Sequence, residues 1–192
     1  IVLCPTMFLL SAEELSWMVE HSGASYLVTT PGLLAKVKLA SPAHHSRGRV
    51  ILVSEEREAG TLSLEDLISD QPETVESRPA LSDGDIAALL YTAGTTGKPK
   101  GVLLTHGNIG SNVRAIAASN RVTRDETALS ALPLSHSFGL TTSLLPALCG
   151  MRSVLLPWFD AEKVLAYTEM FHVHTIPGVP AMFIQLLNHP RA

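Results

Sequence analysis

The spacing of apolar positions changes several times along the chain, and each change marks an element. Ser11-Ala-Glu-Glu14 places a hydroxyl and a carboxylate three residues apart, the pattern of a reciprocal cap that starts a helix. Leu15, Met18 and Val19 then fall on one helical face, and Gly23 ends it. Tyr26 to Thr29 reads as a strand, Gly32 to Ala40 as a second helix and Arg49 to Val53 as another strand. Residues 54–84 turn polar, with Glu55, Glu56, Arg57 and Glu58 as a solvated charge run. A short helix is expected near Leu64 to Ser69, and Gln71-Pro72 and Arg78-Pro79 mark a boundary near residue 80.

Beyond that boundary, Ile86 to Leu90 and Val102 to Leu104 form two apolar runs around a glycine-rich stretch. Thr105-His-Gly-Asn108 caps a helix to about Ser119, with Ile109, Val113, Ile116 and Ala117 on its apolar face. Thr127 to Leu132 is a predicted strand ended by Pro133, and Ser137 to Cys149 a helix followed by Gly150. Arg152 to Leu156 is another strand, and Asp160 can cap a helix over Ala161 to Phe171. Val173 to Ile176 is a last short strand, and Pro180 opens a final helix to Asn188. Strands alternating with helices predict an α/β protein of layered sheets with flanking helices. We divide it into a first α/β subdomain over 1–80 and a second over 81–192.

Composition narrows the function classes. Hydrophobic content of 46% and charged content of 17% describe a globular, rather apolar chain with a buried core. A net charge of −4 offers no basic footprint for nucleic acid. Cys4 and Cys149 form no metal-ligand spacing; a disulfide stays open, and a reduced, cytoplasmic protein is the simpler account. The longest apolar run, Phe138 to Met151, is too short for a membrane span. The chain starts at Ile1 with no signal peptide, as expected of a piece of something longer.

The stretch Tyr91 to Gly101, YTAGTTGKPKG, holds the densest chemistry. Gly94, Gly97 and Gly101 let a ligand approach the backbone, Thr92, Thr95 and Thr96 bring hydroxyls, and Lys98 and Lys100 bring charge. Donors and cations gathered in one loop suit a polyphosphate. It is not a Walker loop: Thr92 stands five residues before Gly97, and Pro99 follows Lys98 where Ser or Thr is required. The apolar runs on either side predict a strand–loop–strand hairpin instead.

These eleven residues resemble the signature loop of the adenylate-forming superfamily, whose pattern is roughly Tyr-Thr-Ser-Gly-(Ser/Thr)-Thr-Gly-x-Pro-Lys-Gly, and depart from it at Ala93 alone. The superfamily contains acyl-CoA synthetases, peptide-synthetase adenylation domains and beetle luciferases. The resemblance implies that Thr92, Gly94, Thr95, Thr96, Gly97 and Lys100 hold ATP. Lys100, Thr95 and Thr96 would act on the phosphates, with Thr92 close to Mg2+; Lys98 falls on a variable position. The resemblance is weaker over 1–80, where Ala-Glu-Glu-Leu precedes a Ser-Gly-Ala turn.

A second segment, Leu132-Pro-Leu-Ser-His136-Ser-Phe-Gly139, is similar to the Pro-Leu-x-His-x-x-Gly segment of acyl-CoA synthetases. The similarity implies that His136, Phe138 and Gly139 border the acyl pocket. Gly178-Val-Pro-Ala-Met-Phe183 resembles the segment lining its far side, which assigns Val179 and Pro180 to substrate; a plain helix start with core-facing Met182 and Phe183 is an equal reading. His172 and His174 would share a strand face, but no third ligand supports a metal site, and His44-His45 carries little. His106 follows the loop where relatives often have His, and helix capping is its simplest role.

The implied activity is ATP-dependent activation of a carboxylic acid, a fatty acid or another apolar acid, to an acyl-adenylate and then a coenzyme A thioester. The family's Tyr-Gly-x-Thr-Glu and Tyr-x-Thr-Gly-Asp segments and its adenylation lysine are absent, so an inactive piece of the large N-terminal domain is expected, with the remaining part of the parent enzyme as partner. An adenylation domain that loads a carrier protein, a non-catalytic MgATP-binding module and a structural protein that lost the chemistry are the alternatives.

Overall fold

Helix α1, Ala12–Ser22, begins where Ser11 and Glu14 cap each other. Ser11 Oγ accepts from the Glu14 N–H at 3.1 Å, and Glu14 Oε2 accepts from the Ser11 N–H at 2.8 Å. Gly23 closes the helix at φ 63, a left-handed conformation that suits glycine. In the computed structural model, which describes residues 1–69, 71–72, 74, 79–92 and 99–191, two compact units follow from the packing of such elements.

The unit Thr6–Leu81 holds α1, β1 (Leu27–Thr29), α2 (Pro31–Ala40), α3 (Pro42–Ser46), β2 (Val50–Leu52), β3 (Leu62–Ser63) and α4 (Leu64–Ser69). Its three strands are parallel in the order β1-β2-β3. Leu15 and Val19 of α1 and Leu34, Val37 and Ala40 of α2 pack with Val50 and Leu52 of the central strand. The sequence reading missed α3 and β3, which are too short to show a period. His44, on α3, has Nδ1 2.7 Å from Ser41 Oγ and Nε2 2.8 Å from the Ala24 carbonyl, so it fastens α3 to the turn before β1.

The second unit is Ile1–Pro5 together with Ser82–Ala192. Residues 1–5, grouped by sequence with the first subdomain, pair with β4 instead. Leu3 donates to the Ala87 carbonyl at 2.9 Å, and Leu89 donates back to Leu3 at 2.9 Å. Strands β4 (Ile86–Thr92) and β5 (Lys100–Thr105) form an antiparallel hairpin, with a register shift between Ile86 and Ala88. Helix α5 (His106–Asn120) follows, then β6 (Thr127–Ser130), α6 (Ser137–Cys149) and β7 (Arg152–Leu155), with β6 and β7 parallel. Helices α7 (Ala161–Met170) and α8 (Pro180–Leu187) complete it.

The strand expected over 173–176 reduces to one bridge, Ala128 to Thr175. His172 sits at φ 48, outside strand geometry, and Pro177 has no N–H to extend a ladder. His172 and His174 therefore share no strand face. His174 Nδ1 accepts from the Thr127 N–H at 3.2 Å, a structural bond at the start of β6. Among the described residues no helix is long and apolar enough to cross a membrane.

Candidate nucleotide and acyl site

The hairpin ends on the pair Thr92 and Lys100, Cα partners on its last rung. Thr92 Oγ1 donates to the Lys100 carbonyl at 3.5 Å, a bond that does not use the hydroxyl lone pairs. Both side chains are exposed, and no carboxylate among the described residues forms an ion pair with Lys100. Gly94, Thr95, Thr96 and Gly97 lie outside the described residues, as does Lys98. The alternation that forms the hairpin also anchors it: Ala88 and Leu90 on the inward face of β4 pack with Leu140 of α6, with Leu104 and Ile109 alongside. One core thus carries both the hairpin and the helix that follows the His136 segment.

The start of α5 is not a spare anion site. His106 N–H donates to the Asp85 carbonyl at 2.9 Å and Gly107 N–H to the Asp83 carbonyl at 2.9 Å. Asn108 N–H donates to Thr105 Oγ1 at 3.1 Å, the cap that the sequence predicts. These are the orphan donors a phosphate would otherwise use. A Cβ on Gly107 would lie 2.9 Å from the Asp83 carbonyl oxygen, so glycine allows the turn to dock. The turn is shaped by Asp85 Oδ2, which accepts from Ser82 N–H at 2.6 Å and Ser82 Oγ at 3.0 Å. Those two bonds, and more weakly the charge of His106, hold the Asp85 carboxyl below its ordinary value.

The His136–Gly139 segment is the N-terminal end of α6. His136 occupies the N-cap with no side-chain capping bond, and its ring is exposed. Gly139 is buried, and a Cβ there would lie 2.1 Å from the Pro133 carbonyl oxygen, so the helix can start this close to the loop only with glycine. Ser135 Oγ is buried with no hydrogen-bond partner among the described residues, a feature the sequence did not flag.

Phe138 is 44% exposed and lines a groove of about 420 Å³ with Leu104, Asn108, Ile109, Asn112, Ile116 and Thr141. Of the five acyl-pocket residues expected from sequence, Phe138 alone lines this groove. Val179 is the N-cap of α8 and Pro180 its first residue, both exposed; Met182 is buried, and Phe183 packs over Gly178. A separate depression of about 520 Å³ at the start of β6 and β7 is lined by Arg124, Asp125, Arg152, His172 and His174. No group of three or more His, Cys, Asp or Glu among the described residues could hold a metal ion.

The family model for the AMP-binding enzyme matches residues 1–192. The chain belongs to the AMP-binding enzyme family. A feruloyl-CoA synthase of Amycolatopsis sp is 36% identical over 193 residues, covering 99% of this chain and 36% of that protein. A long-chain-fatty-acid–CoA ligase of Bacillus subtilis (strain 168) is 40% identical over 109 residues, covering 55% of this chain and 20% of that ligase. Among solved structures, ATP-bound MatB from Rhodopseudomonas palustris has a TM-score of 0.80 at 27% identity, covering 99% of this chain and 36% of that one. The o-succinylbenzoate CoA synthetase of Bacillus subtilis, bound to an acyl-adenylate, has a TM-score of 0.73 at 26% identity, over 97% and 44% of the two chains. The mixed α/β architecture, sheets with flanking helices, matches the structures of adenylate-forming enzymes. The chain spans about 36% of the length of the feruloyl-CoA synthases it matches.

Proposed function

We propose that the chain forms part of an AMP-forming acid–thiol ligase that converts a carboxylic acid first to an acyl-adenylate and then to a coenzyme A thioester. The observation that carries this reading is the placement of Thr92 and Lys100 as facing partners at the mouth of the signature hairpin, on the same core as α6. Lys100 would ion-pair with a phosphate oxygen, and Thr95 and Thr96 would donate hydroxyl hydrogen bonds to the phosphates. Such fixed donors act by position and charge, stabilising pyrophosphate as it leaves while the acid's carboxylate attacks the α-phosphorus.

Thr92 fits Mg2+ as a single neutral oxygen ligand, since this ion keeps waters and substrate phosphates in its shell rather than demanding a protein cage. Bound with ATP, it would neutralise phosphate charge. The groove beside Phe138 would take the acid, with His136 and Gly139 next to Phe138 at the start of α6, and Val179 and Pro180 would contact another part of the acid. Leu104, Ile109, Ile116 and Phe138 favour an apolar acid, of which a fatty acid is one. Similarity to coenzyme A ligases favours that thiol over a carrier protein. The contacts missing from this sequence would come from the remaining part of the parent enzyme, and without them the chain alone would not complete the reaction. A soluble cytoplasmic setting, where ATP and coenzyme A are supplied, suits this chemistry.

The test is acid-dependent exchange of labelled pyrophosphate into ATP by the longer parent, with the 192-residue chain run beside it. Replacing Lys100 by Ala is expected to lower the parent's exchange about 100-fold or more, the usual cost of one preorganised donor. ATP binding that ignores the acid, with no exchange in the parent, would support the MgATP-binding module instead.

A further inference from the structure

The depression at the start of β6 and β7 gathers charge and donors that the fold itself does not use. Arg152 and His174 stand on either side of Thr127, the first residue of β6. Arg152 is its Cα partner on β7, and the His174 N–H donates to its carbonyl at 2.8 Å. Arg124 enters from the loop before β6 and lays its stem over Gly150, where a Cβ would lie 3.7 Å from Arg124 Cγ and 3.8 Å from Nε. Neither guanidinium forms an ion pair or a side-chain hydrogen bond among the described residues. His174 Nδ1 accepts from the Thr127 N–H, which puts the ring proton on Nε2 as a further donor. The two carboxylates lining the depression differ. Glu126 is spent on the fold: Oε1 accepts from the Thr123 N–H at 3.0 Å and Thr123 Oγ1 at 3.1 Å, and Oε2 accepts from Thr175 Oγ1 at 3.4 Å. Asp125 is exposed and has no such partner among the described residues.

We propose that this depression is a second ligand site, one that binds a phosphate monoester carrying sugar hydroxyls. The phosphoryl group takes the Arg124 and Arg152 guanidiniums, whose planar forks match its oxygens, and the His174 Nε2–H adds a bond. Asp125 repels the phosphate and so dictates the rest of the ligand, since a carboxylate accepts only from donors and hydroxyl groups supply them. A bare anion meets that repulsion without the return. A volume of about 520 Å³ accommodates a sugar phosphate, and the sugar-phosphate end of a nucleotide offers the same chemistry. The site stands apart from the proposed ligase reaction: it lies at the start of β6, whereas the His136 segment follows the end of that strand.

The test is an NMR titration of the isotope-labelled 192-residue chain with ribose 5-phosphate, AMP, inorganic phosphate and ribose. Shifts of the Thr127 and Arg152 amides and of the arginine Nε–H groups report this depression, and those of Thr92 and Lys100 report the signature hairpin separately. Ribose 5-phosphate is expected to bind at the depression about tenfold tighter than inorganic phosphate or ribose, the worth of one charge-assisted hydrogen bond. AMP bound there more tightly still would name a nucleotide as the source, and AMP bound more weakly a free sugar phosphate; either supports the site. Arg152→Gln should weaken ribose 5-phosphate about tenfold, while Asp125→Asn should tighten inorganic phosphate and shrink the preference for the sugar phosphate. Both residues are exposed, and circular dichroism of each variant checks the fold. Ribose 5-phosphate that moves none of these signals, or binds Arg152→Gln unchanged, would overturn the inference, as would inorganic phosphate that Asp125→Asn does not tighten. Pyrophosphate exchange by the parent is expected to survive Arg152→Gln, so a failure of the proposed function and a failure of this site are read by different experiments.

Discussion

At the scale of single residues, the same substitution has opposite consequences at two glycines, one in α5 and one in α6. Gly139→Ala puts a Cβ 2.1 Å from the Pro133 carbonyl oxygen and 2.8 Å from its carbon, both backbone atoms that cannot step aside. The start of α6 must move, and a loss of about 1–3 kcal/mol is expected, the usual cost of overpacking. Gly110→Ala lies inside α5, and the atoms nearest its Cβ are those of the Arg114 guanidinium, at 3.2 Å, the far end of a flexible side chain. There the higher helix propensity of alanine dominates, for a gain of about 0.5–1 kcal/mol. Urea unfolding of the two variants beside the parent chain reads both signs. Neither outcome follows from composition, because a glycine's role depends on what its missing Cβ would touch. Gly139 could be picked out by its motif, but the Pro133 carbonyl above it could not.

Among elements, the signature hairpin was the most legible, since two apolar runs flanking a glycine-rich stretch have few other folded solutions. Capped helices were legible for the same local reason: Ser11 with Glu14 and Thr105 with Asn108 satisfy orphan donors within three residues. The illegible parts are those that need distant partners. Leu3 on β4, the wall shared by Asn112 and Phe138, and the Ser82–Asp85 turn over α5 are set by tertiary packing. That turn makes a pH-dependent prediction. Ser82 holds the Asp85 carboxyl below its ordinary value, so the folded state binds its proton more weakly than the unfolded chain does. The stabilisation is therefore fully present above the unfolded value, about 4, and is lost as pH falls through the folded one. Melting temperatures of wild type and Asp85→Ala should differ by a constant gap from pH 5 to 7. The gap should close on acidification; one that holds steady to pH 2 would show that Asp85 acts without its charge.

For the whole molecule, the decisive property is that each unit has its own core. Leu15, Val19, Leu34, Val37, Ala40, Val50 and Leu52 pack together within Thr6–Leu81, while Ala88, Leu90 and Leu140 pack within the other unit. Nothing in two separate cores obliges both to melt at once, and all-or-none unfolding is a property of single cooperative domains. The two tryptophans report the question directly, because Trp17 belongs to the first unit and Trp158 to the second. Trp17 stacks on His21 at 4.8 Å between ring centroids, and Trp158 lies under Lys163 at 5.7 Å, so both should change emission when their surroundings open. Leu52 is 2% exposed in the first unit and Leu129 0% exposed in the second, and truncating either to Ala should cost about 2–5 kcal/mol. In single-tryptophan variants, Leu52→Ala should shift the urea midpoint seen by Trp17 and spare that seen by Trp158, with Leu129→Ala doing the reverse. Equal shifts at both tryptophans would mean that the two cores unfold as one cooperative body. The hairpin would then draw on the stability of all the described residues, not only on that of the unit that carries it.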